Sequence, residues 1–270
     1  MSLRLAGPLL LVGAGKMGGA LLEGWLRQGL DPALVFVSDP APPEDVAALI
    51  ASRRIETDKL PAKPSAIVIA VKPQLVDETL RALTPKIGDG TVVLSIAAGR
   101  TLANLARTLP KGTAIVRAMP NTAAAVGHSM TVACANDAVS RDQALDCNSL
   151  LEAVGEVMWI KDESLMDAVT AVSGSGPAYV FLLTECLAEA GREAGLDAEL
   201  ANRLARATVS GAGALLSRSD LSAAKLRENV TSPKGTTAAA LEVLMGKGGF
   251  KELLTRAVAA AVKRSRELSS

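Results

Sequence analysis

Between Pro8 and Ile160 the chain repeats one pattern: a short apolar run, then a segment whose apolar residues recur at helical spacing. "PLLLVGAG", "ALVFVSD", "SAIVIAVKP", "GTVVLSIAAG" and "TAIVRAMP" read as strands. The segments between them, "GGALLEGWLRQGL", "PEDVAALIASR", "QLVDETLRALTPKI" and "TLANLARTL", read as helices. Strands alternating with helices predict a parallel sheet with helices on its faces. "GHSMTVACAN", a helix through "RDQALDCNSLLEAVG" and a short "EVMWI" strand extend the series. From Glu163 the strand signal vanishes and helical periodicity runs to the C-terminus. The expectation is an α/β, Rossmann-type doubly wound domain over residues 1–162, followed by an all-helical domain over 163–270.

The helical half has its own punctuation. Pro177 stands near the first position of one helix, Gly195 at its stop, and Asp197 at the N-cap of the next. These helices are rich in Ala and Gly, so backbones approach closely while each helix offers little bulky apolar area. A lone domain of this kind leaves an apolar face uncovered, and a homodimer sharing helices covers it.

Charge and composition narrow the partners. A net charge of +1, from 29 basic and 28 acidic residues, leaves no electrostatic footprint for nucleic acid or an anionic membrane. Three Phe, two Trp and one Tyr are too few for a base-stacking platform. No apolar run is long enough to span a bilayer, and the glycines of the N-terminal apolar stretch fall where a strand ends, not where a signal peptide is cut. Cys134, Cys147 and Cys186 are odd in number and widely spaced, which indicates reduced, mostly buried thiols and neither a disulfide framework nor a zinc site. The expected location is cytoplasmic, with no metal.

"VGAGKMG" places Gly13, Gly15 and Gly18 in G-x-G-x-x-G spacing between a strand and a helix. Gly13 permits the tight turn, Gly15 lets the backbone approach a pyrophosphate, and Gly18 lets helix and strand pack. Asp39 follows about 20 residues later, where a carboxylate accepts from the adenosine ribose hydroxyls and favours NAD. Ser38 beside it offers a hydroxyl to a 2′-phosphate, and Asp39 can equally cap the next segment, so both cofactors stay open. Lys72 in "AVKP" and Met119, Pro120, Asn121 and Thr122 in "AMPNT" also fall at strand ends, where open α/β sheets bind ligands. Lys72 is expected to line the nicotinamide side without carrying the chemistry. His128, the single histidine, lies in a loop and reads as a solvated polar group.

"VTSPKGTTAAALEVL" crowds hydroxyls, a proline and a glycine before an apolar helical run. Ordinary turn and helix-start punctuation accounts for that composition. The sharper alternative is an anion site, in which the N–H groups of Gly235, Thr236 and Thr237 hold a carboxylate at the helix N-terminus.

"GAGKMGGAL", "AVKPQ", "SIAAG", "AMPNT", "SGSGPAY" and "NVTSPKGTT" occur in the order found in pyrroline-5-carboxylate reductases, and the resemblance covers nearly the whole chain. The glycine fingerprint is common to many dehydrogenases; "SGSGPAY" with "TSPKGTT" is specific. The resemblance implies a Rossmann domain followed by a helical dimerisation domain, and reduction of 1-pyrroline-5-carboxylate to L-proline by NADPH or NADH. It implies homodimers that often assemble into decamers. Carried over by motif, it implies cofactor contacts at Gly13, Gly15, Lys16, Met17, Gly18, Ser38, Asp39, Val71, Lys72, Ala97, Met119 and Asn121. It implies a substrate-carboxylate loop at Ser232, Pro233, Gly235, Thr236 and Thr237, with the Thr237 hydroxyl near the ring nitrogen as the catalytic group. One residue departs from the family's usual S-P-G-G-T-T: Lys234 stands at the first glycine. Either lysine is strained there by a positive φ, or it adds a charge near the carboxylate.

Overall fold

The computed structural model describes residues 3–269; Met1, Ser2 and Ser270, at the outer ends of the two expected domains, lie outside the described residues. The chain forms two compact units. One takes in the chain up to Gly174 and resumes at Val262, and the other runs Ser175–Ala261.

In the first unit, β1 (Leu9–Val12), β2 (Val35–Ser38), β3 (Ala66–Ile69), β4 (Val92–Ser95), β5 (Ala114–Met119), β6 (Ser129–Ala135) and β7 (Gly155–Trp159) form one sheet in the order β2-β1-β3-β4-β5-β6-β7. The helices are α1 (Lys16–Arg27), α2 (Glu44–Arg53), α3 (Val76–Leu83), α4 (Leu102–Thr108), α5 (Arg141–Glu152) and the short α6 (Met166–Val169). The apolar runs are continuous because both faces are covered. Along β1, Leu9 and Leu11 join Leu21, Trp25, Ile50 and Leu151 in one core, while Leu10 and Val12 join Leu80, Leu83 and Leu105 in another. That two-residue alternation is the strand pleat. Trp25 fastens α1 to α5 by donating its ring N–H to the Leu150 carbonyl at 2.8 Å.

Two details differ from the sequence-based expectation. β6 runs antiparallel to β5, with Val116 opposite Ala135 and Met119 opposite Val132. The link from Pro120 to His128 is shorter than the dozen or so residues a parallel crossover needs, so the chain turns back on itself. "QLVDETLRALTPKI" is not one helix: Pro73 and Pro85 set short 3-10 turns at Pro73–Leu75 and Thr84–Lys86, which confine α3 between them.

The second unit holds α7 (Gly176–Glu193), α8 (Ala198–Arg218), α9 (Ala223–Asn229), α10 (Thr236–Leu244) and most of α11 (Phe250–Ser269). Pro177 sits in the first turn of α7, and the Asp197 carboxylate caps α8 by accepting from the Leu200 N–H at 2.9 Å. Gly195, at φ +102°, makes the turn between them. α7 and α8 pack through small residues, burying Ala188, Ala201 and Ala205. The larger side chains face out: Phe181 is 63% exposed and Val243 77%. Among the described residues, no helix is long and apolar enough to cross a membrane.

Candidate active site

Because β1 to β5 are parallel, their carboxyl ends share one edge of the sheet. The chain leaves β1 for β2 on one side and returns to β3 on the other, which makes the end of β1 the topological switch point. Gly13 stands there at φ +89°. A Cβ on it would come within 2.8 Å of the Ala70 carbonyl and 2.9 Å of a Val71 methyl, so only glycine fits between the β1 and β3 loops. On Gly18 a Cβ would collide with the Gly13 carbonyl oxygen. Gly15 is different, because space is open where its Cβ would be. It precedes α1 with no side chain capping that helix, so the first-turn N–H groups at Lys16, Met17 and Gly18 lack intrahelical acceptors beside an open approach. This is a cradle for a pyrophosphate. The residues present therefore fit a dinucleotide.

The sequence-predicted cofactor residues line up along the same edge. Asp39 directly follows β2; its Oδ2 accepts from the Ala14 N–H at 2.6 Å and its Oδ1 from the Ala41 N–H at 2.9 Å. It therefore braces the glycine loop and caps the next turn. The Ser38 carbonyl accepts from the Gly13 N–H at 3.0 Å, tying the two strand ends again. Val71 and Lys72 follow β3, with Lys72 exposed, and Ala97 is buried just beyond β4.

Met119 and Asn121 close the edge at β5. The Asn121 side chain accepts from the Ala123 N–H at 3.1 Å and donates to the Ser173 hydroxyl at 3.2 Å and carbonyl at 3.3 Å. Ser173 belongs to a single π turn, Thr170–Gly174, that continues α6. A Cβ on Gly174 would meet the Met119 Cε at 2.5 Å, so "AMPNT" and the first residues of "SGSGPAY" pack as one piece. "SGSGPAY" marks Ser173 in the sequence, but its contact with Asn121 depends on residues 52 apart meeting in space. Buried Arg117 and half-buried Glu163 escape sequence reading for the same reason. Glu163 accepts from the Arg117 guanidinium at 2.7 Å and from the Leu102 N–H at 2.8 Å, pinning the start of α4 to β5.

Ser232, Pro233, Gly235, Thr236 and Thr237 lie in the helical unit, in the loop that leads into α10. The Gly235 N–H is not available to an anion: it donates to the Ser232 carbonyl at 3.0 Å and closes a tight turn. The expectation that Gly235 contributes a free N–H is thereby corrected. Thr236 and Thr237, the first two residues of α10, keep N–H groups without intrahelical acceptors, and no side chain caps the helix. Lys234 has φ +58°, so the strained alternative is the one the backbone adopts. Its cost is about 1–2 kcal/mol relative to glycine's freedom in that region.

Other reactive groups drop out. Burial pushes the Cys134 thiol up to about 11 and the Cys147 thiol up to about 12, so neither is a thiolate nucleophile near neutral pH. Cys186 is exposed on α7, unlike the other two. His128 is exposed, and its N–H donates to the Ala123 carbonyl at 3.0 Å. The first unit thus offers backbone N–H groups, the Asn121 side chain and a glycine cradle, and the loop before α10 offers backbone N–H groups and threonine hydroxyls. Such groups bind and orient.

Comparisons with known proteins point to one family. Residues 163–268 match the family model for pyrroline-5-carboxylate reductase dimerisation, and residues 9–99 match that for the coenzyme F420-dependent NADP oxidoreductases. A pyrroline-5-carboxylate reductase of Pseudomonas aeruginosa is 39% identical, over 96% of this chain and 95% of the relative. That of Pisum sativum is 37% identical, over 96% and 94%. Among solved structures, the enzyme of Coxiella burnetii superposes with a TM-score of 0.91 at 33% identity, covering 98% of this chain and 100% of the other. The Plasmodium falciparum pyrroline carboxylate reductase, solved with NADP bound, gives 0.82 at 30% identity, covering 98% and 99%. With relatives this similar along almost its entire length, the chain belongs to the pyrroline-5-carboxylate reductase family.

Proposed function

We propose that the chain reduces 1-pyrroline-5-carboxylate to L-proline, the last step of proline biosynthesis, with NADPH or NADH as hydride donor. The observation that carries this is the family's pair of devices in one chain: a glycine cradle at the switch point of the sheet, and a Ser-Pro-x-Gly-Thr-Thr loop presenting first-turn N–H groups at α10. Residues 1–162 hold the dinucleotide and residues 163–270 dimerise and bind substrate.

Bound NAD(P)H supplies the hydride, and this chain's residues supply position and polarity. Gly13, Gly15, Lys16, Met17 and Gly18 cradle the pyrophosphate, and Ser38 and Asp39 face the adenosine ribose. Val71, Lys72, Ala97, Met119 and Asn121 line the nicotinamide side, with Asn121 held in place by Ser173. The substrate carboxylate rests on the N–H groups of Thr236 and Thr237, with Ser232, Pro233 and Gly235 shaping the turn. The Thr237 hydroxyl hydrogen-bonds the imine nitrogen and helps keep it protonated, so that the adjacent carbon accepts hydride as the C=N π pair moves to nitrogen. Holding imine and donor together contributes much of the acceleration, because a bimolecular encounter becomes a positioned one.

The enzyme works in the cytoplasm as a homodimer, and dimers assemble further into decamers. The outward-facing apolar side chains of α7, α8 and α10 support the dimer, since a single copy leaves them in water.

The direct test is to follow loss of reduced nicotinamide on adding 1-pyrroline-5-carboxylate. Removing the Thr237 hydroxyl (T237A) is expected to lower kcat by about 100-fold or more, the lower end of what a side chain positioned at the reacting proton contributes. Undiminished turnover in that variant would remove Thr237 from the reaction.

A further inference from the structure

The end of β2 bears on which nicotinamide cofactor this chain takes, an inference that rests on the dinucleotide assignment above. Asp39 is held by two main-chain donors from different segments, Ala14 in the glycine loop and Ala41 in the turn that follows. A carboxylate fixed from both sides cannot swing away to admit a second anion. The residues after it, Pro40, Ala41, Pro42, Pro43, Glu44 and Asp45, contain no cation and three prolines, so the turn is stiff as well as uncharged or acidic.

Cations farther along do not compensate. Arg53 and Arg54 lie at the far end of α2, about 14 Å along the helix axis from its first residue. Lys16 lines a groove of 820 Å³ that it shares with Glu23 and Asp45, one ammonium against two carboxylates. Glu44 and Asp45 also occupy the first turn of α2, where they already complement that helix's positive end. The Ser38 hydroxyl is thus a neutral donor in surroundings of negative charge.

We propose that Asp39 makes this chain prefer NADH: its carboxylate accepts from the adenosine ribose hydroxyls and repels a ribose 2′-phosphate. A phosphate monoester carries a charge of about −1.5 to −2 near neutral pH, and specificity of this kind comes from the repulsive element as much as the attractive one. The Plasmodium falciparum relative was solved with NADP bound. The preference is therefore assigned to residues 39–45 of this chain and not to the fold.

The test is to titrate the purified full chain, without substrate, with NADH and with NADPH and read Kd from nicotinamide fluorescence. NADPH is expected to bind at least about tenfold more weakly than NADH, the scale of one unfavourable charge contact. D39N keeps a side-chain oxygen for the Ala14 N–H while removing the charge, and should bring the two constants close together. P40R adds a cation without touching the Asp39 hydrogen bonds, and should tighten NADPH alone. Equal affinities in the unaltered chain, tighter NADPH, or a D39N variant that weakens both cofactors alike would overturn the preference while leaving the dinucleotide site standing. Binding of neither cofactor would overturn both.

Discussion

The two compact units answer the same problem in opposite ways. In the first, Leu9, Leu10, Leu11, Trp25, Ile67 and Leu94 have no exposed surface at all. In the second, the buried apolar residues among those described are three alanines, Ala188, Ala201 and Ala205, while leucines and Phe181 face outward. The first unit hides its apolar surface within one chain. The second has longer helices in α7 and α8, and caps on α8 and α9 from Asp197 and Ser222, yet its large side chains find no cover in a single copy. Good local helix signals therefore say little about where a helix's apolar face is satisfied. They fix that a helix forms, and its neighbours decide whether one chain is enough.

That contrast can be broken by mutation. L11A should destabilise the first unit by about 2–5 kcal/mol, because a fully buried leucine leaves a cavity among its neighbours; chemical denaturation monitored through Trp25 reads the change. F181E should leave each chain folded but shift association towards monomer, measured by light scattering across a dilution series. A variant that stays dimeric at every concentration would remove α7 from the interface.

The cysteines sharpen the same comparison by chemistry. Cys147 keeps its proton to about pH 12 when folded, against an ordinary value of 9.0, and Cys134 to about 11. Above pH 9 the unfolded chain sheds protons that the folded chain retains, so stability falls as pH rises, and is unaffected by these groups below pH 9. The slope is up to about 1.4 kcal/mol per pH unit for each thiol, and C147A should flatten it. At neutral pH, thiol reagents should reach Cys134 and Cys147 only on unfolding. Exposed Cys186 should react in the native chain, at a rate that drops with protein concentration if a second copy covers α7.

The smallest expected effect is K234G. It relieves a positive φ but frees the unfolded chain, so the net gain should be about 1 kcal/mol or less. A loss of stability would mean that the lysine side chain contributes packing or charge that outweighs its backbone strain.

Much of this molecule is legible in the order of its residues because periodicity is a local property. Every strand from Leu9 to Trp159 and the caps at Asp197 and Gly195 follow from neighbours in sequence. The glycine cradle is legible for a related reason: a strand, three spaced glycines and a helix leave few alternative conformations. What escapes is whatever depends on distant residues meeting. The Asn121–Ser173 contact, the Arg117–Glu163 pair and the π turn have no local signature. The Gly235 N–H escapes too, because a turn closed by Ser232 competes with an anion for the same donor. Asp39 shows the opposite case, since both alternatives left open for it, ligand acceptor and local cap, draw on one carboxylate with lone pairs to spare.

α11 begins in the helical unit, yet its final turns, from Val262, belong to the first. There the Ser265 hydroxyl donates to the Asp167 carboxylate at 2.6 Å, and the Leu268 backbone lies against Gly99 in the "SIAAG" turn. A ribosome releases residues 262–269 only after all of 175–261. The sheet can form early during synthesis, but the unit that contains it is completed only after the whole helical unit has been made.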